Sequence, residues 1–168
     1  FSKDGKNWEN KTKGRFENSS SAQFVTLEKP IVARYFKLIA LSEIYGRDWA
    51  SAAELNVNAV RNLSGASEER QKVVYVDSDA DGSMKLAADG DINTFWHTVH
   101  NQFYLAPYPH EIQIALAKET TVKGLKYTPR QDSSEGRIGK YEVYISHDGK
   151  EWGKAVASGT FADSKEVQ

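Results

Sequence analysis

Alternation of apolar and polar residues runs through most of this chain, and it has the period of a strand. Glu111-Ile112-Gln113-Ile114-Ala115-Leu116 alternates strictly, as do Val122-Lys123-Gly124-Leu125-Lys126-Tyr127 and Lys140-Tyr141-Glu142-Val143-Tyr144-Ile145. Tyr35-Phe36-Lys37-Leu38-Ile39-Ala40-Leu41 is a near-continuous apolar run, while Glu54–Asn58 and Lys72–Val76 are shorter candidates. A period of two over short segments, with Gly, Pro, Asn and Asp between them, predicts half-buried antiparallel strands. Asp148-Gly149 and Asp4-Gly5 stand between apolar or aromatic flanks, as hairpin turns with positive φ require. No stretch carries a sustained 3.6-residue period. Helix is expected only as single turns, with Ser51-Ala52-Ala53-Glu54 a candidate for part of one.

One phrase occurs twice. Ser2-Lys3-Asp4-Gly5-Lys6-Asn7-Trp8 reappears as Ser146-His147-Asp148-Gly149-Lys150-Glu151-Trp152, and Gly14-Arg15-Phe16 echoes in Gly159-Thr160-Phe161. The separation is about one domain length. The sequence therefore reads as a window on a tandem array. Residues 1–58 are the C-terminal part of one repeat, 59–72 a polar Ser/Gly-bearing linker, and 73–168 the N-terminal part of the next. Each part alone would expose sheet edges and half a core. Residues 1–58 folding onto 73–168 as one rotated sandwich would close it, and so would a domain-swapped dimer.

Composition removes several function classes. The 168 residues carry a net charge of −1 and no basic tract, which argues against nucleic acid. No apolar run approaches the ~18 residues of a spanning helix. There are no cysteines, hence no disulfide and no cysteine-ligated zinc. Phe1-Ser2-Lys3-Asp4 reads as neither a signal peptide nor a start. No nucleophile elbow or phosphate loop is present, and no paired carboxylates sit in an apolar setting, so catalysis is not expected.

Two segments have candidate chemistry. Asp89, Asp91 and Thr94 fall in a tight Gly-containing loop, and hard oxygen ligands at short spacing suit Ca²⁺; an Asp-Gly turn capped by its own side chains is the competing reading. Asp77-Ser78-Asp79-Ala80-Asp81-Gly82 matches the first half of an EF-hand loop, but its closing position is Ala88, and it reads as an exposed acidic loop. Sugar recognition needs an aromatic face for the C–H side of the ring and fixed polar groups for its hydroxyls. Trp49 is the leading platform, with Tyr104 and Tyr108 as rivals. Arg130 can fork across vicinal hydroxyls, or pair with Asp132 or Glu135 instead. His97 and Asn101 follow Trp96, which is expected in the core; Trp8 and Trp152 are expected to pack their hairpins.

Several motifs fall in one order. Ala88-Asp89-Gly90-Asp91-Ile92-Asn93-Thr94-Phe95-Trp96-His97-Thr98 is followed by Pro109-His110-Glu111-Ile112-Gln113-Ile114, Tyr127-Thr128-Pro129-Arg130-Gln131-Asp132, Glu135-Gly136-Arg137-Ile138 and Tyr141–Trp152. Ala33–Leu38 and Ala50–Leu55 look like the closing strands of one such set. The set resembles the coagulation factor V/VIII type C, or discoidin-like, domains. Its flavour is similar to bacterial family 32 carbohydrate-binding modules appended to secreted glycosidases such as chitobiases and hexosaminidases. The resemblance implies an all-β, eight-stranded antiparallel jelly-roll sandwich of the galactose-binding-domain type. It implies a structural calcium held by Asp89, Asp91 and Thr94, closed by Glu54, with Leu86 and Ala53 offering carbonyls. It also implies a non-catalytic module outside the cell that takes galactose- or hexosamine-type sugars through Arg130, Trp49, His97, Asn101, Tyr104 and Glu135, the last standing where many relatives carry Asn. A structural spacer or protein-interaction module of the same fold is the alternative. A membrane-binding version ranks below both, because the loop from Asn101 to Pro109 has no Lys or Arg.

Overall fold

The computed structural model describes residues 15–18, 22–59, 71–101 and 104–162. Eleven strands and one 3₁₀ turn follow in order: β1 (Arg15–Asn18), β2 (Gln23–Ala40), β3 (Ser51–Ala52), β4 (Glu54–Ala59), β5 (Lys72–Val76), the turn Ser83–Ala88, β6 (Trp96–His97), β7 (His100–Asn101), β8 (Tyr104–Leu105), β9 (His110–Thr128), β10 (Lys140–Ser146) and β11 (Ala157–Ala162). Seven strands form the main sheet in the order β1-β11-β10-β2-β9-β4, with β5 also on β9. All its ladders are antiparallel except β1 on β11. The hairpin Ser2–Trp8 lies outside the described residues.

The expected strands at 111–116 and 122–127 are one continuous β9, and Tyr35–Ala40 continues back to Gln23 in β2. Glu28-Lys29-Pro30 and Ala117-Lys118-Glu119 are exposed, and neither stretch offers a glycine at which to turn, so the paired strands run on through their polar waist. β2 then solves a phase problem. Its buried positions are Gln23, Val25, Leu27 and Ala33, then Phe36, Leu38 and Ala40. The parity flips at the register shift between Ala33 and Tyr35. A bulge inserts one residue, so both halves keep their apolar faces inward. On the far side of β9, β5 pairs with residues 112–115 and β4 with 122–128, which curls one sheet into two facing layers.

The core between the layers includes Val25, Phe36, Leu38, Leu55, Trp96, Ile112, Ile114, Leu125, Tyr127, Ile138, Val143 and Phe161. Trp96 is in the core as expected, 1% exposed, and its indole donates to the Ser78 carbonyl at 3.0 Å. Trp152 packs on the Lys37 ammonium after the Asp148-Gly149 turn, where Gly149 has φ of 73°. Ser51–Ala52 is not helical: it pairs with Trp96–His97, and the helical turn is Ser83–Ala88. β2 and β4 come from the segment before residue 60 and their partners β9 and β10 from the segment after it.

Candidate functional site

The loop joining β2 to β3 is built on a buried acid. The Glu43 side chain has no exposure and accepts the amides of Tyr45 (2.6 Å) and Arg47 (3.2 Å) and the Arg47 Nε (3.1 Å). Held this way, the Arg47 guanidinium sits 5.3 Å from the Trp49 ring centroid and 5.1 Å from that of Tyr45. Its Nη1 lies 3.4 Å from Glu135 Oε1 and its Nη2 donates to the Ser134 carbonyl. The bond to Glu43 leads the causes that lift the Arg47 pKa above its ordinary value, against burial.

Rings continue from Trp49 in an arc. Trp49 lies 5.3 Å from His100, His100 lies 5.2 Å from His97, and His97 lies 5.6 Å from Phe95. Arg130 closes the row with its guanidinium 3.9 Å from the Phe95 centroid. Stacked cation and ring faces of this kind attract each other through the ring quadrupole. The arc unites four of the sequence candidates, Trp49, His97, Arg130 and Glu135, from loops far apart in the chain. It also contains Phe95, His100, Arg47 and Tyr45, to which the sequence assigned no role. Phe95 had a signal: it directly precedes Trp96, which is expected in the core, so alternation would turn it outward. Asn101 and Tyr104 lie in the paired β7 and β8, and their side chains are outside the described residues.

The polar groups of the arc are partly engaged already. Arg130 makes a two-pronged pair with Asp132, Nε to Oδ1 and Nη2 to Oδ2, both 2.7 Å. That bond leads the causes holding the Asp132 carboxyl below its ordinary range. The Nδ1 atoms of His97 and His100 both lie 3.2 Å from the Thr98 carbonyl oxygen. Donation there leaves Nε2 of each neutral ring as an acceptor. Burial, with help from His100 and Arg130, holds the His97 pKa below the ordinary imidazole value, so its neutral form is favoured. The Trp49 Nε1 is buried and has no acceptor among the described residues.

The oxygen-rich loop lies beside β4. Glu54, 3% exposed, accepts the Gly90 backbone amide on Oε1 (2.7 Å) and the Asn56 side-chain Nδ2 on Oε2 (3.1 Å). Asp89 accepts the Asp91 amide (2.8 Å) and the Thr94 hydroxyl (2.8 Å), and Asp91 caps the Asn93 amide (2.9 Å). Burial pushes the Glu54 carboxyl up; the Gly90 and Asn56 bonds oppose it, and the Asp89 carboxylate adds to it. For Asp89, desolvation is outweighed by the Asp91 amide, Thr94 and Glu54, and the net shift is down. Leu86 is in the 3₁₀ turn beside this loop, and Ala53 is buried with its amide on the Thr128 carbonyl. Among the described residues no group of three or more His, Cys, Asp or Glu is already arranged around one point.

The Asp77–Gly82 segment is not simply an exposed acidic loop. Asp77 Oδ2 lies 2.9 Å from His110 Nδ1, and its Oδ1 accepts the Glu111 amide at 2.7 Å. Asp79 accepts the Ser83 hydroxyl, and the turn passes through Asp81 and Gly82 at positive φ. No helix among the described residues is long and apolar enough to cross a membrane.

Comparison with known proteins agrees with this architecture. The chain is similar to a sialidase of Micromonospora viridifaciens, 38% identical over 101 residues, which is 58% of this chain and 16% of the sialidase. It is 39% identical over 113 residues to a galactose oxidase of Gibberella zeae, 66% of this chain and 17% of the oxidase. It is 36% identical over 81 residues to an A type blood N-acetyl-alpha-D-galactosamine deacetylase of Flavonifractor plautii, 48% of this chain and 10% of the deacetylase. The similarity thus spans under a fifth of each relative. The profile of the F5/8 type C domain matches residues 1–55 and 66–168, nearly the whole sequence. With its curled antiparallel sheets, the chain belongs to the F5/8 type C domain family, the discoidin-like β-sandwiches.

Proposed function

We propose that this chain is a non-catalytic carbohydrate-binding module that holds a neighbouring sugar-active enzyme, a secreted glycoside hydrolase, on glycans. The observation that carries the reading is the arc of rings from Arg47 through Trp49, His100, His97 and Phe95 to Arg130. It offers stacking faces, imidazole acceptors and guanidinium donors along one ridge, the combination that a pyranose with one apolar face and several hydroxyls requires. Relatives whose names include a sialidase, a galactose oxidase and an N-acetylgalactosamine deacetylase support a galactose- or hexosamine-type ligand. Trp49 stacks, Arg130 and Glu135 orient hydroxyls, and His97 accepts. Asn101 and Tyr104, paired between β7 and β8, are further candidate contacts. A shallow site of this kind binds weakly, on the order of 10⁻⁴ M. Tandem copies, which the repeated Asp-Gly-Lys phrase supports, multiply it by avidity. Such a module works outside the cell or at its surface.

A structural calcium belongs to the same reading. Glu54 and Asp89 are close enough for each to perturb the other, and the rest of the loop is hydroxyl and carbonyl oxygen. Two adjoining carboxylates need a proton or a cation between them, and an all-oxygen donor set suits Ca²⁺. Asp91, Thr94 and the carbonyls of Leu86 and Ala53 would complete the shell. The ion would fasten the loop that leads into Phe95 and His97.

One observation favours a second reading. The Arg130 fork is filled by Asp132, as a spacer or protein-interaction module would allow. Titration with galactose, N-acetylgalactosamine and N-acetylglucosamine, followed by calorimetry and NMR, separates the two. Shifts at Trp49 and Arg130 with one of these sugars are expected; none with any of them would leave the spacer.

A further inference from the structure

We propose that His110 is a positioning residue for Trp49, and that the proton on its Nε2 sets how the platform is presented to sugar. The functional half of this rests on the reading of Trp49 as the stacking face. His110 opens β9 and its ring has no solvent exposure. Nδ1 lies 2.9 Å from Asp77 Oδ2, and Nε2 lies 3.2 Å from the Asp48 carbonyl oxygen. Both partners are acceptors, so both bonds exist at once only when both ring nitrogens carry protons. Two residues earlier, the Tyr108 hydroxyl donates to the Trp49 carbonyl at 2.7 Å, and the Tyr108 ring packs 4.7 Å from that of His110. Two consecutive carbonyls of the platform loop are thus pinned by two side chains from one stretch of chain.

The pin is itself anchored. Asp77 directly follows β5, and besides His110 it takes the Glu111 amide while its own amide donates to the Glu111 carbonyl. That gives the acidic loop a role as the counter-charge of a buried imidazole. The charged and titratable groups around His110 are Asp77 from the β5 end, Asp48 from the platform loop and the Tyr108 phenol, with the Glu43–Arg47 pair beyond that phenol. Loss of the Nε2 proton turns a donor into an acceptor facing the Asp48 carbonyl. Two lone pairs cannot share that approach, so the Asp48–Trp49 peptide must swing away, and the indole moves with it.

The test is an NMR pH titration of the whole chain without sugar, following the His110 ring protons and the Trp49 indole N–H. The Trp49 signal should contain a component with the His110 midpoint. That component should vanish in His110→Gln and persist in His100→Gln, which separates it from the stacked neighbour. A Trp49 signal that ignores the His110 midpoint in the native chain overturns the proposal without recourse to any variant. In a parallel galactose titration, affinity should fall roughly three- to tenfold as pH rises through that midpoint, the worth of about one hydrogen bond. Galactose affinity that is flat across it also overturns the proposal. If no galactose, N-acetylgalactosamine or N-acetylglucosamine binds at any pH while Trp49 still follows His110, the platform reading fails and the pin stands.

Discussion

Glu54 Oε1 accepts the Gly90 amide at 2.7 Å, joining the strand before residue 60 to the loop after residue 71. A cation at this junction would tie the same two stretches. With calcium at about one hundred times its Kd, linkage adds about 2.7 kcal/mol. For a domain of this size that is a rise in Tm of roughly 5–10 °C. Excess chelator should remove it, and Glu54→Gln should abolish the calcium response. A melt indifferent to chelator counts against the site.

The pH dependence of that response has a definite sign. The Glu54 carboxyl is raised above its ordinary 4.5, chiefly by burial, so the cation-free fold favours the protonated form. That contribution is complete below 4.5 and is lost as pH rises through the folded value. Calcium requires the ionised form. Its stabilisation should therefore be small near pH 4 and full at pH 7, measurable as the difference between paired melts.

His97 works in the opposite sense to His110. Its pKa lies below the ordinary 6.5, chiefly through burial, so the folded chain favours the neutral ring down to that lowered value. Stability from this source is full above 6.5 and is lost as pH falls through the folded value. Protonation also removes the Nε2 acceptor beside Arg130. Galactose affinity should fall on acidification in the native chain, and this limb should disappear in His97→Gln.

Replacing Trp49 or Arg130 with Ala should weaken sugar binding by about tenfold or more, equal to about 1.4 kcal/mol. The fold should survive, because Trp49 is only half-buried and the Arg130–Asp132 pair is a surface one, worth about 1 kcal/mol or less. Unchanged affinity in either variant removes that residue from the site.

Tyr127→Phe tests the core in isolation. The buried hydroxyl donates to the Ser51 carbonyl at 3.0 Å and accepts the Ile138 amide at 3.1 Å. Its loss takes a buried hydrogen-bond partner from each, a cost of about 1–3 kcal/mol in denaturant unfolding. Gly124→Ala should be at least as damaging, since a methyl group there presses into the Val25 carbonyl of the neighbouring strand.

Strand alternation made β4, β5 and β10 legible from sequence, as it did both halves of β9. Their fusion through the polar waist was not, because Ala117-Lys118-Glu119 has the look of a loop until β2 pairs alongside it. At the site, residue type pointed to Trp49, His97, Arg130 and Glu135. Phe95, His100 and Arg47 were given no part in the site because each matters only through a ring or charge brought from another loop. His110 was hidden for the same reason. Its partners Asp77 and Asp48 are distant in sequence, and an acidic run such as Asp77–Gly82 announces solvent rather than the partner of a buried ring.

Because β2 lies between β9 and β10, a single cut in the backbone between residues 59 and 71 would not separate the molecule into independent parts. Each fragment would carry half of the ridge, Arg47 and Trp49 on one and His97 and Arg130 on the other. Mixed together, they would behave as a split reporter, restoring the ridge only when the severed pieces reassemble.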